Sequence, residues 1–92
     1  MTKIKEFLLD RDSMNNQTVY MPVGAQLFTV TDSATGLFIV AAVDVAETHN
    51  QLRTFKICDS NGWFMEPVVK YVGSFITDGG MRHVVEIQED TI

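Results

Sequence analysis

Three cations lie in or beside stretches that read as strands: Arg53, Lys70 and Arg82. Two guanidinium groups can grip a ligand with two phosphates through paired N–H donors, and an aromatic ring can stack on its base. Arg53 and Arg82 are therefore the candidate phosphate ligands, with Trp63 and Tyr71 as the stacking rings. The competing reading is structural, each cation pairing with one of the twelve acids in the chain. Trp63, which follows Gly62 in a loop, reads either as a partner contact or as a ring folded back over the core.

Nucleophilic catalysis needs a base within hydrogen-bond reach of the nucleophile and a third group orienting that base. Cys58 and His83 are the pair to consider, meeting across a sheet. A buried thiol and a strand histidine account for them more simply, since free cysteine is among the most buried residue types. The carboxylates Glu86 and Glu89 lie in and just beyond the last strand, and the other acids sit in turns, where solvation explains them. Gly79-Gly80 opens a strand and lacks the Lys-Ser or Lys-Thr of a phosphate loop. His49, His83 and Cys58 have no zinc-ligand spacing. The sequence thus predicts a non-enzymatic binding protein with no catalytic residue, metal or cofactor.

The elements that must position these residues are strands. Short apolar runs alternate with Gly, Asn, Asp and Pro, and no window holds a helical period over three turns. The expected strands are Lys3 to Leu9, Thr18 to Met21, Gln26 to Thr31, Leu37 to Val43, Leu52 to Cys58, Val68 to Thr77 and Arg82 to Gln88. Leu37 to Val43 is apolar on both parities, as a central strand covered on both faces would be. Arg53 shares the parity of Phe55 and Ile57, which sets a cation on or near the apolar face. Gly73 marks a bulge or a close approach inside its strand. Asp59-Ser60-Asn61-Gly62 and Asp78-Gly79-Gly80 are turns, and the acidic tail Glu89 to Ile92 is expected to fray. The fold class is all-β: one domain over 1–92, about six or seven mostly antiparallel strands in a sandwich or partly open barrel.

Composition narrows the function. The chain has 92 residues, a net charge of −5 and a pI near 4.7, which oppose binding to a long nucleic acid. No apolar run reaches membrane-spanning length and no secretory h-region is read at the N-terminus. One cysteine rules out an internal disulfide and fits a reducing cytoplasm. At 46% hydrophobic residues, a chain this short has more apolar surface than one thin sandwich covers, so a homo-oligomer is expected.

Two segments carry a family resemblance. Val19-Tyr20-Met21-Pro22-Val23-Gly24-Ala25-Gln26-Leu27-Phe28-Thr29-Val30 resembles a Pro-x-Gly-Ala segment of a family of small uncharacterised bacteriophage-encoded β-rich proteins. Tyr71-Val72-Gly73-Ser74-Phe75, Gly79-Gly80 and His83-Val84-Val85-Glu86 resemble that family's closing hairpin, and Leu37 to Asp44 its central strand. Arg82 departs from the pattern, standing where the family has Trp, and Cys58 to Gly62 replaces a Gly-rich turn. The resemblance implies a phage accessory protein in the host cell cytoplasm. By analogy it implies a counter-defence sponge that sequesters a cyclic nucleotide immune signal. The alternative is a protein–protein interaction module that blocks a host factor through an exposed edge strand.

Overall fold

The computed structural model describes residues 1–88, in which the acidic tail and Glu89 are not included. Seven strands form: β1 (Thr2–Leu9), β2 (Gln17–Pro22), β3 (Gln26–Ser33), β4 (Gly36–Asp44), β5 (Asn50–Asp59), β6 (Val68–Thr77) and β7 (Gly80–Ile87). All seven expected strands are present, most of them extended by a residue or two at their ends. Among the described residues no helix is long and apolar enough to cross a membrane.

The strands make two antiparallel sheets, a three-stranded one in the order β1-β4-β3 and a four-stranded one in the order β2-β5-β7-β6. They do not close into a barrel. The Cα atoms span 41 × 37 × 16 Å, a slab two layers thick at the usual sheet spacing of about 10 Å. Such a body has inner faces that supply the core and outer faces that meet solvent.

Register explains which side chains go where. In the three-stranded sheet, Phe7, Ile39 and Val30 form one inward row and Leu9 with Leu37 the next. All five are buried. In the four-stranded sheet, Ile57 and Val84 sit in one inward row and Phe55 in another, also buried. Met21 of β2, Ala25, Leu27 of β3, Ala41 and Val43 of β4, and Val72 and Phe75 of β6 join the same core.

The middle position of β4 in its sheet agrees with its apolar sequence, but its expected cover on both faces is not found. Leu37, Ile39, Ala41 and Val43 are buried on the inner side, whereas Phe38 and Val40 on the outer side are only half-buried. The outer rows read Leu8-Phe38-Thr31, Glu6-Val40-Thr29 and Ile4-Ala42-Gln26. Leu8 keeps 63% of its surface exposed and Ile4 54%. Double-sided hydrophobicity therefore marks a strand with one face in the core and one apolar face left outward.

Gly73 is both a bulge and a close approach, as its place in the strand predicts. The β6–β7 register slips between Tyr71 and Gly73. A Cβ at Gly73 would lie 3.0 Å from the Val30 amide nitrogen and 3.3 Å from Val30 Cβ. Backbone of β3 cannot yield as a flexible side-chain tip would, so Gly73→Ala should destabilise the fold by about 1–3 kcal/mol in urea unfolding. Gly79→Ala is the control: its nearest neighbour is a Thr77 oxygen at 3.9 Å, and its effect should stay within about 0.5 kcal/mol.

Candidate functional site

Arg53 is not free for a ligand. Its Nε donates to Glu86 Oε2 at 2.6 Å, its Nη2 to Glu86 Oε1 at 2.8 Å and its Nη1 to the Ala25 carbonyl at 2.7 Å. The Arg53 side chain is 15% exposed and that of Glu86 8%. Phe55 opposes Glu86 in the β5–β7 ladder, so Arg53 reaches its partner diagonally on the inner face. A carboxylate this buried requires a charged, hydrogen-bonded partner, and the two-pronged guanidinium supplies it. Lys70, opposite Glu86 on the other side, donates to the Leu27 carbonyl at 2.8 Å. Both cations thus hold the start of β3 against the four-stranded sheet.

Arg82 stands elsewhere on the inner face, four residues from Glu86 along β7, about 13 Å at strand rise. Its Nε donates to Asp59 Oδ1 at 3.1 Å, and Asp59 is its cross-strand partner. Arg82 lines an open groove of about 480 Å³ at the end of the sandwich, with Arg11, Asp12 and residues of the β6–β7 turn. Arg11 lies over the Phe75 ring at 5.6 Å and donates to Asp32 Oδ1 at 2.9 Å. Sequence reasoning missed Arg11, because a lone arginine in a loop carries no signal until its neighbours are known. The groove's two arginines face two lining acids, Asp12 and Asp78, so the wall itself has no net charge.

Trp63 is 97% exposed, which removes the reading of a ring folded over the core. It borders a second groove of about 290 Å³ with Met14, Lys56, Ile57, Cys58, Asp59 and Gly62. The loop beyond it is tied down by Asn16, whose amide donates to Glu66 Oε2 at 2.8 Å and holds that carboxyl below its ordinary range. Tyr71 borders neither groove. Neither groove contains more than one of Arg53, Trp63, Tyr71 and Arg82.

Tyr71 belongs to a different cluster, on the outer face of the four-stranded sheet. Its hydroxyl lies 2.7 Å from His83 Nδ1, and the two rings meet edge to face with centroids 5.7 Å apart. The other imidazole nitrogen, Nε2, lies 2.8 Å from Ser60 Oγ. Cys58 opposes His83 in register, as the sequence reading supposed, but the histidine nitrogens go to Ser60 and Tyr71 instead. The thiol stays protonated over a wider pH range than usual, because burial and then the Asp59 charge push its pKa up, against a smaller opposing effect of Lys56. Ser60 has no sequence signal beyond its turn, since three residues on three elements meet only through strand register.

No family model, curated protein or solved structure matches this chain at a significant level.

The Arg53–Glu86 pair makes a direct prediction. Arg53→Met strands a buried carboxylate and should lower unfolding free energy by about 3–5 kcal/mol in urea titration. Adding Glu86→Leu removes that unpaired charge, so the double variant should be more stable than Arg53→Met alone.

Proposed function

We propose that this chain is a protein–protein interaction module that takes an extended partner segment along β1 and the outer face of the three-stranded sheet. The observation that carries the reading is the uncovered apolar surface of that sheet. Ile4, Leu8, Phe38 and Val40 share one face by register with the buried Ala42, and among the described residues no element lies over Ile4 or Leu8. Strand β1 pairs with β4 on one side only, which leaves its other edge open for β-augmentation.

The chemistry of β1 describes the partner. Ile4 and Leu8 project outward with Glu6 between them, while Lys3 and Lys5 take the opposite parity, Lys5 Nζ lying 5.5 Å from the Phe7 ring centre. A matching strand alternates aliphatic residues, which extend the outer apolar face, with acidic ones, which meet the lysines. A host protein blocked in this way fits the interaction role expected from the sequence. A second copy of the chain joined at the same surface fits the expected homo-oligomer.

The sponge reading is the second one, and the Arg11–Arg82 groove is the observation that favours it. Arg82 remains its phosphate ligand, Arg11 takes the place intended for Arg53, and Phe75 underlies Arg11. Two ion pairs to Asp32 and Asp59 must be exchanged for ligand phosphates, which makes this groove a weaker anion site than two free arginines.

Fluorescence titration with a synthetic strand peptide alternating Val and Glu tests the first reading. Binding to the wild type should weaken at least tenfold in Leu8→Lys or Ile4→Lys, the loss expected from one buried aliphatic contact. Light scattering on the same proteins decides whether a second copy is the occupant, with a mass above 10.3 kDa that collapses in Leu8→Lys. Equal peptide affinity in wild type and variants, with a monomeric mass, overturns the interaction reading. Calorimetry against cyclic dinucleotides, with Arg82→Ala and Arg11→Ala as controls, tests the sponge; binding weaker than about 100 μM throughout ends it for those ligands.

A further inference from the structure

The cluster on the outer face of the four-stranded sheet plays no part in either reading above, and it has the parts of a nucleophile, a base and an orienting group. We propose that Ser60 is an activated nucleophile, that His83 is its general base through Nε2, and that Tyr71 is the positioning residue at Nδ1. The substrate class is a small activated ester, and the reaction is acyl transfer to Ser60 followed by hydrolysis. This departs from the non-catalytic reading of the sequence, which considered Cys58 as the partner of His83.

Geometry supports the assignment at each position. The Ser60 hydroxyl and the His83 imidazole are 2.8 Å apart, within reach for proton transfer. The Tyr71 oxygen, 2.7 Å from Nδ1, is placed to accept an Nδ1–H bond in the tautomer that leaves Nε2 free to take the serine proton. The edge-on Tyr71 ring, at 87° to the imidazole, limits rotation of His83. Asp59, the nearest acid in sequence, is engaged by Arg82 on the opposite face and does not compete for the imidazole.

The turn presents the nucleophile outward. Gly62 N–H donates to the Asp59 carbonyl at 2.9 Å, which closes a four-residue turn with Ser60 at its first corner. Asn61 at the second corner adopts a left-handed φ of 66°, a conformation that asparagine tolerates well. Asp59 and Gly62, on either side of that corner, line the groove with Met14, Lys56, Ile57, Cys58 and Trp63. An acyl chain of a few carbons attached to Ser60 has beside it this groove, in which Met14, Ile57 and Trp63 are apolar and Lys56 and Asp59 are charged.

The steps balance without a further reagent. Ser60 Oγ forms a bond to the ester carbonyl carbon as its proton passes to Nε2, and collapse of the tetrahedral adduct breaks the bond to the alkoxide, which leaves with that proton. Water then attacks the acyl-serine, giving its proton to Nε2, and the acid departs as Ser60 regains its hydrogen.

The experiment is covalent labelling of the full chain with a fluorophosphonate probe and with p-nitrophenyl acetate, read by intact mass and peptide mapping. The expected result is one adduct on Ser60, absent in Ser60→Ala and slowed about a hundredfold in His83→Ala. Added imidazole should restore labelling of His83→Ala in part, since it replaces the missing base. Tyr71→Phe should alter the pH dependence of labelling, which a merely structural phenol would leave in place. Ser60→Ala lies in an exposed turn and should keep the wild-type circular dichroism, so loss of the adduct there reports the nucleophile and not unfolding. Absence of a Ser60 adduct on the wild type, or equal labelling rates in wild type and His83→Ala, overturns the proposal.

Discussion

Two hydrogen bonds that cross from one sheet to the other, one of them from an arginine held by an ion pair within its own sheet, fix how the two sheets sit on each other. The sandwich is open at its sides, and β3 has β4 on one edge only. Along its other edge the carbonyls of Ala25 and Leu27, two residues apart and so pointing the same way, accept from Arg53 and Lys70. Both donors belong to the four-stranded sheet, and Glu86 between them holds Arg53 in a two-pronged grip. An apolar seam would join the sheets with equal strength in many registers. Carbonyls that need donors accept only one, and the ion pair with Glu86 keeps the Arg53 donor aimed at its carbonyl. The close approach of Gly73 to Val30 depends on that alignment, because no side chain intervenes to absorb an error.

Much of this was legible from parity alone. All seven strands follow from alternation and turn residues, and the placing of Arg53 beside Phe55 and Ile57 already set a cation on the inner face. Its function was not legible, because its partner lies 33 residues away and meets it only after β7 has entered the sheet. Residues scattered over Val19 to Val30 and Tyr71 to Glu86 gain physical reasons in this fold. Ala25 offers the carbonyl for Arg53, Gly73 lets β3 approach, Glu86 completes the ion pair, and Tyr71 and His83 bond to each other. Ser60 and Arg11 stand outside those segments, and nothing in their local sequence distinguishes them from ordinary loop residues.

A slab of this thickness separates its surfaces. The inner faces are occupied by the core and the polar seam, so recognition falls to the two outer faces and to the open ends. The outer face of the three-stranded sheet sets Ile4, Leu8, Phe38 and Val40 among Glu6, Gln26 and two threonines, whereas that of the four-stranded sheet carries the Lys56, Cys58, His83 and Ser74 side chains at its turn end. The groove of Arg11 and Arg82 opens at the end where the two sheets part. Each surface therefore has its own chemistry, and a ligand at one leaves the others accessible.

Strand order also sets a schedule for the growing polypeptide. Among the described residues, β3 with β4 and β6 with β7 are the adjacent pairs joined by short turns, while β1 must wait for β4 and β2 for β5. Strand β7, the last of the seven to leave the ribosome, inserts between β5 and β6 in the middle of its sheet. Until it arrives, Arg53 has no carboxylate and β5 has no inner neighbour. A nascent chain that stalls before Glu86 consequently holds Arg53 without its carboxylate and leaves the facing edges of β5 and β6 unpaired, and it is such edges that make unfinished proteins prone to aggregate.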